Sequence, residues 1–193
     1  MDTEQDLFTA IVLAADRETG NPVAGAAGVR CKSLAPINGT PMIFRVLKAL
    51  SSSHKVENTL LCGPSGAIVA QESALRDYIA SGRAAWVENQ ATPSLSAYET
   101  MKVLDQDRTV LLTTSDHALL SPEIVDYFCC EALKSGCDVV AGVARCETVM
   151  AAYPQTSRTA YFFKDGAYCS CNLFAFLTPQ AKEVPSFWRR VEQ

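Results

Sequence analysis

A lone lysine, Lys32, closes a glycine-bearing stretch that begins where the first apolar run of the chain breaks off. Gly20, Gly25 and Gly28 precede it, and Gly39-Thr40-Pro41-Met42 follows. Glycines remove side-chain bulk, so backbone N–H groups can close on an anion. A lysine at the end of such a loop adds a compact positive charge for the same anion. Phosphate suits this combination. Far downstream, Ser115-Asp116-His117 ends a second apolar run, and Ser94 and Ser96 lie between the two. Taken singly, each has a plain structural reading: a solvated loop lysine, a turn aspartate, two helix-capping serines. They become chemically interesting only if the fold brings them together.

The elements that must position them follow a regular rhythm. Residues 8–14 read as a buried first strand, and 16–31 as a long loop, a length that tends to mark function. A helix is expected from Pro41, with Thr40 as N-cap and Ile43, Val46, Leu47 and Leu50 as its apolar stripe. Strands follow at 58–62, 85–87, 109–114 and 138–144. Helices are expected at 70–80, from Ser94 or Ser96 to Leu104, and from Ser121-Pro122-Glu123 to about Ser135, the last burying Ile124, Val125 and Phe128. This alternation predicts an α/β fold, a mainly parallel central sheet with helices on both faces. Ligands of such sheets bind at the carboxyl ends of the strands, where Lys32, Ser94 and Asp116 would converge. After residue 150 the rhythm changes. Lys164-Asp165-Gly166 predicts a β-hairpin insertion near the C-terminal end, with a strand at 171–177 and a helix at 179–192 beyond it.

Composition narrows the partners. The chain has 193 residues, 48% hydrophobic and 20% charged. It reads as one domain over 1–193, able to bury roughly 70% of its unfolded surface. A net charge of −4 and a pI near 5.2 argue against nucleic acid or an anionic membrane as the main partner. The acidic start, Met-Asp-Thr-Glu-Gln-Asp, is unlike a secretory signal, and no run approaches the ~20 apolar residues that span a bilayer. The expected compartment is the cytoplasm. The eight cysteines lack paired C-x-x-C spacing and read as reduced, buried thiols rather than zinc ligands.

Several of these segments together resemble the nucleotidyltransferases of glycosyltransferase-A-like fold, and more narrowly the MobA-like NTP transferase family. The matching residues are Leu13-Ala14-Ala15, Lys32-Ser33-Leu34, Ile37-Asn38-Gly39-Thr40-Pro41-Met42, Pro93-Ser94-Leu95-Ser96, Thr113-Thr114-Ser115-Asp116-His117 and Cys171-Asn172-Leu173-Phe174. Three departures stand out. Asp16 occupies the place of the family's usual glycine after Leu-Ala-Ala, and the loop behind it is longer than the short glycine-rich form. The family's second metal-binding carboxylate has no clear counterpart before Gln193, so the expectation is of a domain lacking its C-terminal portion.

The resemblance implies transfer of a nucleoside monophosphate from an NTP to a phosphorylated small-molecule acceptor, with release of pyrophosphate. That reaction needs positioning and charge neutralisation more than proton transfer, which fits a chain with only His54 and His117. In this reading Lys32 stabilises the phosphates and Asp116 holds Mg²⁺. Leu13, Ala14, Ala15 and Arg17 border the nucleotide; Pro93, Ser94 and Ser96 face base and ribose; Asn172 meets the acceptor. His117 reads as structural. The base, and the choice among sugar, polyol and pterin phosphates, stay open. So do a non-catalytic nucleotide-binding protein on the same scaffold and a cysteine-based metal or redox protein. A hydrolase lacks its G-x-S-x-G elbow and a dinucleotide site its G-x-G-x-x-G.

Overall fold

Strand β1 (Phe8–Leu13) sends alternate side chains to opposite faces, and both faces are covered. Phe8, Ala10 and Val12 pack on one side with Ile43, Val46, Leu47, Leu75, Val125 and Phe128. Ile11 packs on the other with Ala97, Met101 and Phe176. The strand is therefore the spine of a two-faced core. The computed structural model from which this is seen describes residues 7–16 and 20–188.

Around β1 the strands β4 (Val56–Cys62), β5 (Ala85–Val87), β6 (Thr109–Thr114), β7 (Val139–Arg145), β8 (Tyr161–Phe163) and β9 (Gly166–Phe176) complete a seven-stranded sheet. Its order is β5-β4-β1-β6-β9-β7, with β8 paired to β9. β5, β4, β1 and β6 are parallel, and β9 alone runs against its neighbours, so β7 and β8 again share the common direction. Helices α2 (Met42–Ser51), α4 (Ser73–Ala80) and α6 (Pro122–Lys134) cover one face. Helix α5 (Pro93–Lys102) and the C-terminal α8 (Val184–Trp188) cover the other, with Trp188 edge-on to Phe174 and Phe176. The expected α/β architecture, mainly parallel with helices on both faces and a β8–β9 hairpin, is the one formed.

Differences from expectation are local. Residues 16–31 are not all loop. Asn21 accepts from the Val23 and Ala24 amides, Pro22 takes the first helical position and Gly28 closes the turn at φ +64°, giving the short helix α1 (Pro22–Ala27). Thr40 does not cap α2. Asn38 (φ +50°) and Gly39 (φ +78°) form the two-residue turn of a miniature hairpin, β2 (Pro36–Ile37) against β3 (Thr40–Pro41), and Thr40 is spent in that pairing. The helix expected at 70–80 is two, α3 (Gly66–Gln71) and α4, broken at extended Glu72. Thr92, rather than Ser94 or Ser96, caps α5. In α6, Val125 and Phe128 are buried as expected, but Ile124 is exposed and Cys129 joins the buried stripe in its place. Helix α7 (Cys146–Ala152) was not expected, and β9 runs unbroken through the strand placed at 171–177. All eight cysteines are free thiols. No helix among the described residues is long and apolar enough to cross a membrane.

Candidate active site

The parallel strands end in register. Leu13 pairs with Cys62 on one side and Thr114 on the other, and Cys62 pairs with Val87. The ladder continues past the strand ends, with Ala14 N–H donating to Cys62 O, Gly63 N–H to Val87 O, and Ser115 N–H to Leu13 O, each at 2.9 Å. Four loops therefore leave one rim side by side. Three of them, those after β1, β5 and β6, together with Asn172 of β9, enclose a cleft of about 420 Å³ lined by Leu13, Ala15, Asp16, Asn21, Lys32, Ser33, Pro93, Thr114, Ser115, Asp116 and Asn172. A smaller hollow of about 30 Å³ adjoins it, sharing Leu13, Ala15, Asp16 and Pro93 and adding Cys62, Gln90, Ala91, Thr92 and Ser96.

Lys32 opens a single 3₁₀ turn, Lys32–Leu34, whose Ser33 and Leu34 are buried. That anchoring leaves the lysine stem to reach across the rim, where its Nζ meets Asp116 Oδ2 in an ion pair. Thr114, the last residue of β6, donates its hydroxyl to the other oxygen, Oδ1, at 2.5 Å. Burial pulls the Asp116 carboxyl upward, but the hydrogen bonds from Lys32 and Thr114 and the lysine charge outweigh it and hold the group below its ordinary value. The lysine amide is occupied as well: Lys32 N–H points at both oxygens of Asp16, at 3.0 and 3.1 Å. One residue thus holds two carboxylates, one at each end.

Asn172 reaches the rim by a different route. β9 runs backwards, so its middle, not its end, lies at the carboxyl edge, with Leu173 opposite Thr113. The β7–β9 register slips between Ala141 and Val143, and Asn172 sits in that bulge at φ +52°. Ser170 steadies it: its hydroxyl accepts from the Asn172 amide at 3.1 Å and donates to the side-chain oxygen at 3.4 Å. A left-handed asparagine inside a strand is the kind of local strain that accumulates at functional positions.

The other expected residues divide. Leu13, Ala15 and Pro93 line the cleft, whereas Ala14 is buried beside it. Ser96 lines the small hollow, but its hydroxyl accepts from Gln90 N–H at 2.9 Å. Ser94 is buried within 3.3 Å of the Thr92 hydroxyl and lines neither space. Arg17 lies outside the described residues. His117 is not among the residues that line the cleft; its Nδ1 is buried without a partner among the described residues, and burial, reinforced by the Arg158 charge, lowers its pKa against the pull of Asp116. Asn21 and Thr114 line the cleft without having been expected there. The Asn21-Pro22 pair was a legible helix start; Thr114 lay within the matched segment 113–117, but nothing in the sequence gave it a role of its own.

The donor set of the cleft fits a hard divalent cation. Asp16, Asp116, Thr114 and Asn172 offer oxygens, and neither histidine nor cysteine lines the space. Among the described residues no group of three or more His, Cys, Asp or Glu side chains is disposed around a common metal position.

The family model described as "MobA-like NTP transferase domain" matches residues 10–164. A hypothetical transferase from Thermus thermophilus has the same fold, with a TM-score of 0.70 and 24% identity over 96% of this chain and 72% of that one. CMP:2-keto-3-deoxy-manno-octonic acid synthetase, solved with CTP, gives 0.64 and 13% over 93% and 78%. The 4-diphosphocytidyl-2C-methyl-D-erythritol synthase of Anaerococcus prevotii gives 0.61 and 14% over 96% and 75%. Comparison with curated proteins gave no match.

Proposed function

Since this chain belongs to the MobA-like NTP transferase domain family, we propose that it transfers a nucleoside monophosphate from an NTP to a phosphorylated small molecule, releasing pyrophosphate. The observation that carries the proposal is the meeting of Lys32 and Asp116 in one rim cleft that Asn172 also faces. An acceptor phosphate oxygen attacks the α-phosphorus, the bond to the β-phosphate oxygen breaks, and charge grows on the departing pyrophosphate. The Lys32 ammonium is placed to meet that charge. Asp116 would hold Mg²⁺, which would supply neutralisation of phosphate charge there. The backbone of Leu13, Ala14 and Ala15 borders the phosphates. Pro93 presents one wall to the nucleoside, with Ser96 held to the Gln90 amide and Ser94 beside the Thr92 cap behind it. Asn172 orients the acceptor. An acceptor phosphate is already ionised near neutrality, so no general base is required.

A second reading, nucleotide binding without transfer, is favoured by one observation: the Lys32 amide is already taken by Asp16. Pyrophosphate release across the four common NTPs and a panel of sugar, polyol and pterin phosphates separates the two. Turnover with any pair, abolished by Asp116→Ala, supports transfer; tight binding of an NTP with no turnover for any acceptor supports the second reading.

A further inference from the structure

Among the described residues, Asp16 is the one charged residue of the cleft that the proposed chemistry leaves without a role. Among the described residues, the charged groups lining the cleft are Asp16, Lys32 and Asp116, and the lysine ammonium is already paired with Asp116. Among those described residues the residual charge is therefore negative, set where a triphosphate would lie. Asp16 cannot easily swing aside, because both its oxygens face the Lys32 amide across a chain separation of 16 residues. That contact closes the base of the α1 excursion and fixes the carboxylate toward the cleft. It also takes up an N–H that would otherwise be open to a phosphate oxygen.

We propose that Asp16 is a specificity-determining residue that makes the cleft reject metal-free nucleoside triphosphate and accept it only as the complex with a divalent cation. This rests on the nucleotidyl-transfer reading above. A fixed carboxylate repels the bare polyanion at short range, and a cation between them reverses the sign of the interaction. The same carboxylate positions Lys32 by its amide, so charge and positioning must be tested apart. Asp16→Asn does so: its amide oxygen still accepts from Lys32 N–H while the charge is gone. Asp16→Glu keeps the charge, and Asp16→Gly removes charge and contact together.

Equilibrium binding of CTP, GTP, ATP and UTP to the full chain is measured by calorimetry, once with Mg²⁺ and once in EDTA. The native chain is expected to bind its preferred triphosphate at least about tenfold more weakly in EDTA. Asp16→Asn should tighten metal-free binding by about tenfold and so erase most of the cation dependence, and Asp16→Glu should retain it. A purely structural role would leave Asp16→Asn close to the native chain in both buffers and weaken binding only for Asp16→Gly, in both buffers alike, and that result overturns the proposal. Equal binding by the native chain in both buffers also overturns it while leaving nucleotidyl transfer standing. No triphosphate binding by the native chain in either buffer overturns nucleotidyl transfer itself, and the role of Asp16 with it.

Discussion

Lys32 and Asp116 are 84 positions apart in sequence, yet their charged ends meet at the rim of the sheet. One comes from the turn that ends the first loop and the other from the step beyond β6. With the proposed chemistry running through both, Lys32→Ala and Asp116→Ala should each lower turnover by about a hundredfold or more. The double variant should lose little beyond the worse single one, since the two act as a unit. Steady-state pyrophosphate release for the four proteins checks this; losses that multiply freely would show two independent sites.

Asn172 makes a separable prediction about backbone and side chain. Its φ of +52° is comfortable for glycine and costly for a β-branched residue. Asn172→Gly should fold with nearly native stability but bind the acceptor more weakly. Asn172→Val should lose about 1–3 kcal/mol of stability. Thermal unfolding measures the first property, and the acceptor KM the second.

Gly63 tests how the second loop braces the first. It sits at φ +79°, and a Cβ there would lie 3.1 Å from Ala15 N and 3.3 Å from both Ala15 Cβ and Asn89 Cβ. Gly82 has a similar φ, +76°, but open space around it. Gly82→Ala should therefore cost about 1 kcal/mol from backbone strain alone. Gly63→Ala should cost more than Gly82→Ala and should also weaken nucleotide binding, because Ala15 lines the cleft. Urea unfolding and nucleotide titration of both variants decide it.

Cys129 gives a pH signature. Burial, with smaller help from Asp126 and Cys130, pushes its thiol up from 9.0 to about 12. The unfolded chain ionises this thiol above pH 9 and the folded chain does not, so the unfolded state binds fewer protons between those values. Stability contributed here is full below pH 9 and falls as pH rises toward 12. Cys129→Ala, less stable at pH 8 through lost packing, should show a shallower decline over that window in urea unfolding. Equal slopes for both proteins would contradict it.

The sequence revealed what periodicity and turn chemistry encode. β5 and β6 stand where their β-branched and apolar runs placed them, and Ser121-Pro122-Glu123 marked the start of α6. The two-faced alternation of strands and helices was enough to put Lys32 and Asp116 at the same rim. Short elements escaped, because six or seven residues carry too little periodicity: α1 hid in a glycine-bearing stretch and α7 in an unremarkable run after β7. Thr40 was misplaced because Asn38-Gly39 makes a hairpin turn, and pairing took the residue that otherwise suits a cap. Asp16 could be seen to stand in an unusual place, but its bond to the Lys32 amide depends on how α1 folds the loop back, which no local pattern carries. The bulge that turns Asn172 toward the cleft is likewise a product of strand register, not of its neighbours in sequence.

The reversal of β9 has a consequence for how the molecule comes into being. Among the described residues β9 is the last strand in chain order, yet it is inserted between β6 and β7, and β7 has no other strand partner among them. While the chain is still emerging from the ribosome, both of those edges stand open until residue 176 is available. Unpaired edges of this kind invite association with other nascent chains. The rim that holds Asn172 therefore cannot assemble before residue 176 has been made, and an interrupted synthesis leaves it incomplete.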